Sequence, residues 1–216
     1  MLENITYFIE HKFSPVFQKL NQIPYFVGLK NGIIITTPFT IVGSLFIIIQ
    51  QFPVQAWLDI VEPYQAMLGV PNQMTIGVIG LYTVFGVAYN VARELKIDAL
   101  GTATVATMAF LMLQIEHETF TFVTSGLGAR GIFSAILMAM FTAKIMHLFL
   151  TKGWYIKFPD GVPPAVSKTF ASLTPAAVIM VVMFILSVVL ETAGGTPSGN
   201  LMYQPFVKNK CMILAV

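Results

Sequence analysis

Charge is scarce in this chain. Asp, Glu, Lys and Arg make up 10% of its 216 residues, and 56% are hydrophobic, whereas a soluble domain carries about 25% charged residues. That composition belongs to a bilayer. With 12 Lys+Arg against 10 Asp+Glu the formal charge is +2, too little for the basic surface that binds by counterion release, so nucleic acid is excluded as a partner. The single cysteine, Cys211, forms no internal disulfide. No Cys/His cluster has metal-ligand spacing, which excludes a structural zinc module. A Walker A loop and a GxSxG elbow are also missing, so ATP-driven transport and serine hydrolysis lack support. No catalytic residue, cofactor or metal is expected on this chain.

What is present is a series of charge-free windows, each able to hold a helix of about 20 residues in hydrocarbon. They predict an all-α membrane protein with about five transmembrane helices: Asn31 to Gln50, Gln73 to Val91, Ala99 to Ile115, Gly131 to Leu150 and Phe170 to Leu190. Pro38 is expected to kink the first. Before them, Leu2, Ile5, Ile9, Phe13, Val16, Phe17 and Leu20 recur at helical spacing, which predicts an amphipathic interfacial segment over residues 1–30. Glu3 and Glu10 stand where a secretory signal would be basic, so this segment is expected to be retained. A short interfacial helix is expected between the first two spans, around Trp57 and Tyr64.

Basic residues set the orientation. Lys12, Lys19, Lys30, Arg93, Lys96, Lys144, Lys152, Lys157 and Lys168 fall on one side, and Arg130 alone falls on the other before the fifth span. The N-terminus is therefore expected in the cytoplasm, with the chain multi-pass and the lipid bilayer as its first partner.

Several short patterns have the look of chemical motifs. GLGARG, Gly126 to Gly131, matches GxGxxG, but no strand precedes it, and we read it as a turn into a membrane helix. Glu116, His117 and Glu118 start like HExxH, yet Thr121 occupies the place of the second imidazole. They are read as solvated loop charges, with ligand contact as the lesser alternative. Lys144 and His147 lie one turn apart near a helix end and are read as snorkelling. Small residues repeat every four positions at Ala135, Ala139 and Ala143, at Ala99, Ala103 and Thr107, and at Gly28 and Gly32. These rows predict close helix packing. Pro159, Asp160, Gly161, Val162, Pro163 and Pro164 form a stiff turn, with Ser167 and Thr169 as candidate caps for the helix that follows.

That turn opens the block PDGVPPAVSKTFASLTPA, preceded by GLGARGIFSAILMAMFTAKIMHLFLTKGWYIKF. Together with IPYFVGLKNGIIITTPFTIVGSLFIII and YNVARELKIDAL it resembles the membrane-embedded IIC component of bacterial phosphoenolpyruvate-dependent sugar phosphotransferase systems, lactose/cellobiose (N,N'-diacetylchitobiose) family. The resemblance covers about Met1 to Gly195. It implies the N-terminal half of a homodimeric permease of roughly twice this length. Such a permease takes up a β-linked disaccharide such as cellobiose, chitobiose or lactose, which a phosphocysteine on a separate IIB protein phosphorylates. The family's sugar-binding His and Glu belong to the second half, so no substrate-binding residue is carried over, and disaccharide binding is expected only with that half present.

The resemblance implies a five-span scaffold, dimerisation-type, over residues 31–190. The tail, residues 191–216, does not resemble the family's continuation and is expected to come from a truncation or frameshift, leaving an inactive half. Enzymatic activity is expected at most as the membrane component of the phosphotransferase complex. Two other readings stand beside this one: an intramembrane enzyme using Glu116, His117, Glu118 or His147, and a non-transporting helical scaffold or assembly factor.

Overall fold

Prolines and a lysine mark where the first helices begin and break. A computed structural model describes residues 20–116, 121–156 and 164–194. Helix α1, Pro24–Ile34, starts with proline at a position where the missing N–H costs nothing. It begins ahead of the charge-free window and runs through the boundary expected at residue 30. Lys30 does not end it, because its side chain is exposed and its Nζ donates to Asn21 Oδ1 at 3.3 Å. The chain then tightens at Ile35 and Thr36, where Thr36 N–H donates to Ile33 O at 3.0 Å and Thr36 Oγ1 donates to the same carbonyl at 2.7 Å. Helix α2, Thr37–Gln50, follows with Pro38 in its first turn. The break expected at Pro38 therefore lies just before it. Pro24–Gln50 together are long and apolar enough to cross a membrane.

The next continuous segment, Gln55–Glu94, comprises α3 (Gln55–Val61), a 3-10 turn (Glu62–Tyr64), α4 (Gln65–Thr75), a second 3-10 turn (Ile76–Val78) and α5 (Ile79–Glu94). Helix is thus present where the interfacial element was expected. Trp57 Nε1 donates to Ile49 O at 2.8 Å, tying α3 to the end of α2.

Helix α6, Ala99–Met112, has 14 residues, which is about 21 Å at 1.5 Å per residue. It is shorter than the expected span and short of a hydrocarbon core of about 30 Å. Leu113 and Gln114 close it with hydrogen bonds to Phe110 O and Leu111 O. The chain then enters a two-residue antiparallel ladder, β1 (Ile115–Glu116) with β2 (Thr121–Phe122), in the register Ile115 to Phe122 and Glu116 to Thr121. Among the described residues four segments have the length and apolarity to cross a membrane, and α6 is a shorter apolar helix beside them.

GLGARG becomes the short helix α7 (Thr124–Leu127) and a 3-10 turn (Ala129–Gly131) leading into α8, Ile132–Lys152. Gly153 ends α8 in the left-handed region (φ 68), with Trp154 N–H donating to Phe149 O at 2.9 Å. Helix α9, Pro164–Gly194, extends past the expected span at both ends. Ser167 and Thr169 consequently lie within its first turns and do not precede it as caps.

Helix α5 is the hub: it packs on α1, α6 and α8, while α9 lies against α6 and α8, and α2 packs on α4. The core is built from Val84, Val87 and Val91 of α5, Ala103, Ala106 and Phe110 of α6, Ala135, Ala139 and Ala143 of α8, and Ile179 and Met183 of α9. Small residues dominate because lipid tails supply no hydrophobic drive between helices, so contact depends on close backbone approach. The Ala135, Ala139 and Ala143 row is fully buried within the chain. In the second row only Ala103 is buried, with Ala99 and Thr107 half-buried. At the α1–α5 crossing a Cβ at Gly28 would lie 2.5 Å from Val91 Cα, and one at Gly32 would fall against Val87 Cα. These two glycines set how closely the pair can approach.

Candidate functional site

Few of the candidate site residues singled out in the sequence lie among the described ones. Pro159, Asp160, Gly161, Val162 and Pro163 lie outside the described residues, and Pro164 is the first residue of α9. Glu116 belongs to β1, paired with Thr121, and His117 and Glu118 lie outside the described residues. Among the described residues no group of three His, Cys, Asp or Glu could hold a metal ion.

Lys144 and His147 differ in exposure. Lys144 is exposed, as a snorkelling side chain would be, whereas His147 is half-buried and lines a cleft of about 440 Å³ at one end of the bundle. Residues 95–98 of the α5–α6 turn, Leu150 and Thr151 from α8, and Ala171 and Ser172 from α9 form the rest of its walls. The turn is a helix C-cap: Lys96 N–H donates to Arg93 O and Ile97 N–H to Ala92 O, both at 3.0 Å, with Lys96 at φ 57. This left-handed position usually takes glycine. Asp98 precedes α6 with extended backbone, and Thr102 Oγ1 donates to its carbonyl at 2.6 Å. Gly101 leaves room for the Asp98 carboxylate, since a Cβ there would collide with Oδ2. Nothing in the sequence joins Lys96 and Asp98 to His147, because a positive φ at lysine leaves no compositional trace.

A second, wider cleft of about 560 Å³ opens at the other end, between the α4–α5 junction (Gln73, Gly77) and the turn holding Thr124, Ser125 and Arg130. Beneath that turn Gln114 is 1% exposed, and neither polar atom of its amide has a partner among the described residues. Its side chain lies where a Cβ at Gly126 would be.

Between the two ends, the interior offers little for a sugar to bind. Thr83 donates to Ile79 O, Asn90 to Gly86 O and Ser134 to Gly131 O, so these buried groups are spent on their own helices. Among the residues whose side chains are described, no Asp, Glu, Lys or Arg is buried. A midplane carboxylate or cation suited to a sugar hydroxyl is therefore lacking among them.

The family described as "Phosphotransferase system, EIIC" matches residues 30–213, a range that runs into the tail set apart above. The cellobiose-specific EIIC component of Geobacillus stearothermophilus is 31% identical, the match covering 85% of this chain and 45% of that protein. The oligo-beta-mannoside-specific EIIC component of Bacillus subtilis (strain 168) is 28% identical over 94% of this chain and 48% of its own length. Among solved structures, the crystal structure of the transporter ChbC, the IIC component from the N,N'-diacetylchitobiose-specific phosphotransferase system, superposes with a TM-score of 0.75 at 27% identity, covering 86% of this chain and 47% of that one. The chain spans about half the length of the curated relatives it matches. With a family match over most of its length and four long apolar helices, this multi-pass membrane chain belongs to the phosphotransferase system EIIC family.

Proposed function

We propose that the chain is the scaffold half of a sugar-specific IIC permease, working on a β-linked disaccharide such as cellobiose, chitobiose or lactose. The fold shared with ChbC over 86% of this chain is the observation that carries this reading. The relatives' names narrow the substrate to β-linked sugars. Orientation follows from charge: Arg93, Lys96 and Lys152 gather at one end of the bundle and Arg130 lies at the other, so the former end faces the cytoplasm of the bacterial cell. A separate IIB protein docks there to phosphorylate the sugar, and the permease works as a homodimer.

Sugar binding itself comes from outside the described core. Thr83, Asn90 and Ser134 there are bonded to their own backbone, whereas a selective pocket needs free convergent donors and acceptors. The chain alone is a scaffold that neither transports nor supports phosphorylation. In membrane vesicles supplied with phosphoenolpyruvate and the IIA and IIB proteins, residues 1–194 fused to the second half of the cellobiose-specific relative should phosphorylate labelled cellobiose, and the chain alone should not. Phosphorylation by the chain alone, or none by a well-inserted fusion, would overturn the reading.

A further inference from the structure

The cleft between the α5–α6 turn and the ends of α8 and α9 has a donor and acceptor set that the scaffold role leaves unused. Lys96, Asp98 and His147 line it, and none of these three side chains has a hydrogen-bond or ion-pair partner among the described residues. Lys96 occupies a backbone conformation that a side chain pays to adopt, and such positions cluster at binding sites. At about 440 Å³ the cleft is within the range of small-molecule pockets.

We propose that this cleft binds a polyol phosphate monoester. The Lys96 ammonium and the His147 ring N–H donate to the phosphate oxygens, where charge-assisted bonds are strongest. The Asp98 carboxylate accepts from hydroxyls on the polyol, while Ile97 and Leu150 offer apolar wall to its C–H face. A carboxylate beside the cation weakens the site for bare phosphate, and the missing second cation weakens it for a nucleotide's polyphosphate. A ligand with one phosphate and several hydroxyls uses all three groups. The soluble monoester, rather than a lipid phosphodiester, fits because its phosphate carries a charge of about −1.5 to −2 for the two donors to share. The inference rests on these side chains and not on the permease reading, so failure of transport or phosphorylation would leave it standing.

The test uses the full chain in phosphatidylcholine nanodiscs, titrated calorimetrically with glucose 6-phosphate, glucose and inorganic phosphate. Glucose 6-phosphate should bind saturably, and the other two at least about tenfold more weakly. Lys96→Gln and Asp98→Asn should each weaken it by about tenfold or more. Lys96→Gly separates binding from folding: removing the left-handed side chain should hold or raise the thermal midpoint while binding is lost. Equal affinity for inorganic phosphate, wild-type affinity in Lys96→Gly, or displacement of glucose 6-phosphate by phosphatidylglycerol in the nanodisc would each overturn the proposal.

Discussion

Gly32 of α1 meets Val87 of α5 backbone to backbone, so close that a Cβ on Gly32 would fall against the Val87 Cα. The reverse contact has the same character, because a Cβ at Gly86 would sit 2.8 Å from Gly32 O. Neither obstacle is the flexible end of a side chain, so relief requires the helices to separate. Gly32→Ala should therefore destabilise the bundle by about 1–3 kcal/mol or more, read as a lower midpoint for thermal unfolding in detergent. An exposed control such as Ser44→Ala should leave the midpoint unchanged; equal midpoints for the wild type and Gly32→Ala would show that the crossing is not this tight.

Gln114 and Gly126 make a second local test. The Gln114 amide is buried with both polar atoms unpaired among the described residues, an arrangement that costs about 1–3 kcal/mol for a neutral group. Gln114→Met keeps the length of the side chain and removes the stranded dipole, so it should raise the thermal midpoint. Gly126→Ala should lower it, since the new Cβ would occupy the space of the amide. A lower midpoint for Gln114→Met would mean that the amide is satisfied in the folded protein.

Orientation is tested by single cysteines in a Cys211→Ser background. A cysteine at Asp59 should react with an impermeant thiol reagent added to intact cells, while one at Lys152 should react only after the cells are opened. Both positions are exposed, so failure to label reflects sidedness and not burial. Labelling at Lys152 alone in intact cells would invert the topology.

Much of the helical plan was legible because charge is so costly in hydrocarbon that its absence marks a span, and four of the five windows lie in segments long enough to cross. The boundaries were less legible. Lys30 closed the first window in sequence but sits on the exposed side of α1. Ala99 to Ile115 looked like a full span, yet a 3-10 closure at Leu113 and Gln114 stops α6 early, and composition carries no sign of that turn. Small-residue spacing correctly placed Ala135, Ala139 and Ala143 on a buried face, but spacing cannot name the helix across from it. The Lys96, Asp98 and His147 cleft was hidden for the same reason: it joins residues about fifty positions apart through a turn whose backbone sign is not written in residue type.

If, as proposed, this chain is the frame of a sugar permease and sugar binding comes from outside its described core, the chain alone should not transport. Uptake of labelled cellobiose, chitobiose and lactose in a permease-deleted strain retaining IIA and IIB tests it most directly, comparing the empty vector, the chain alone and the chain continued by a relative's second half. Saturable uptake of at least one sugar is expected for the continued chain and vector-level uptake for the chain alone. Saturable uptake by the chain alone, for any of the three sugars, would contradict it.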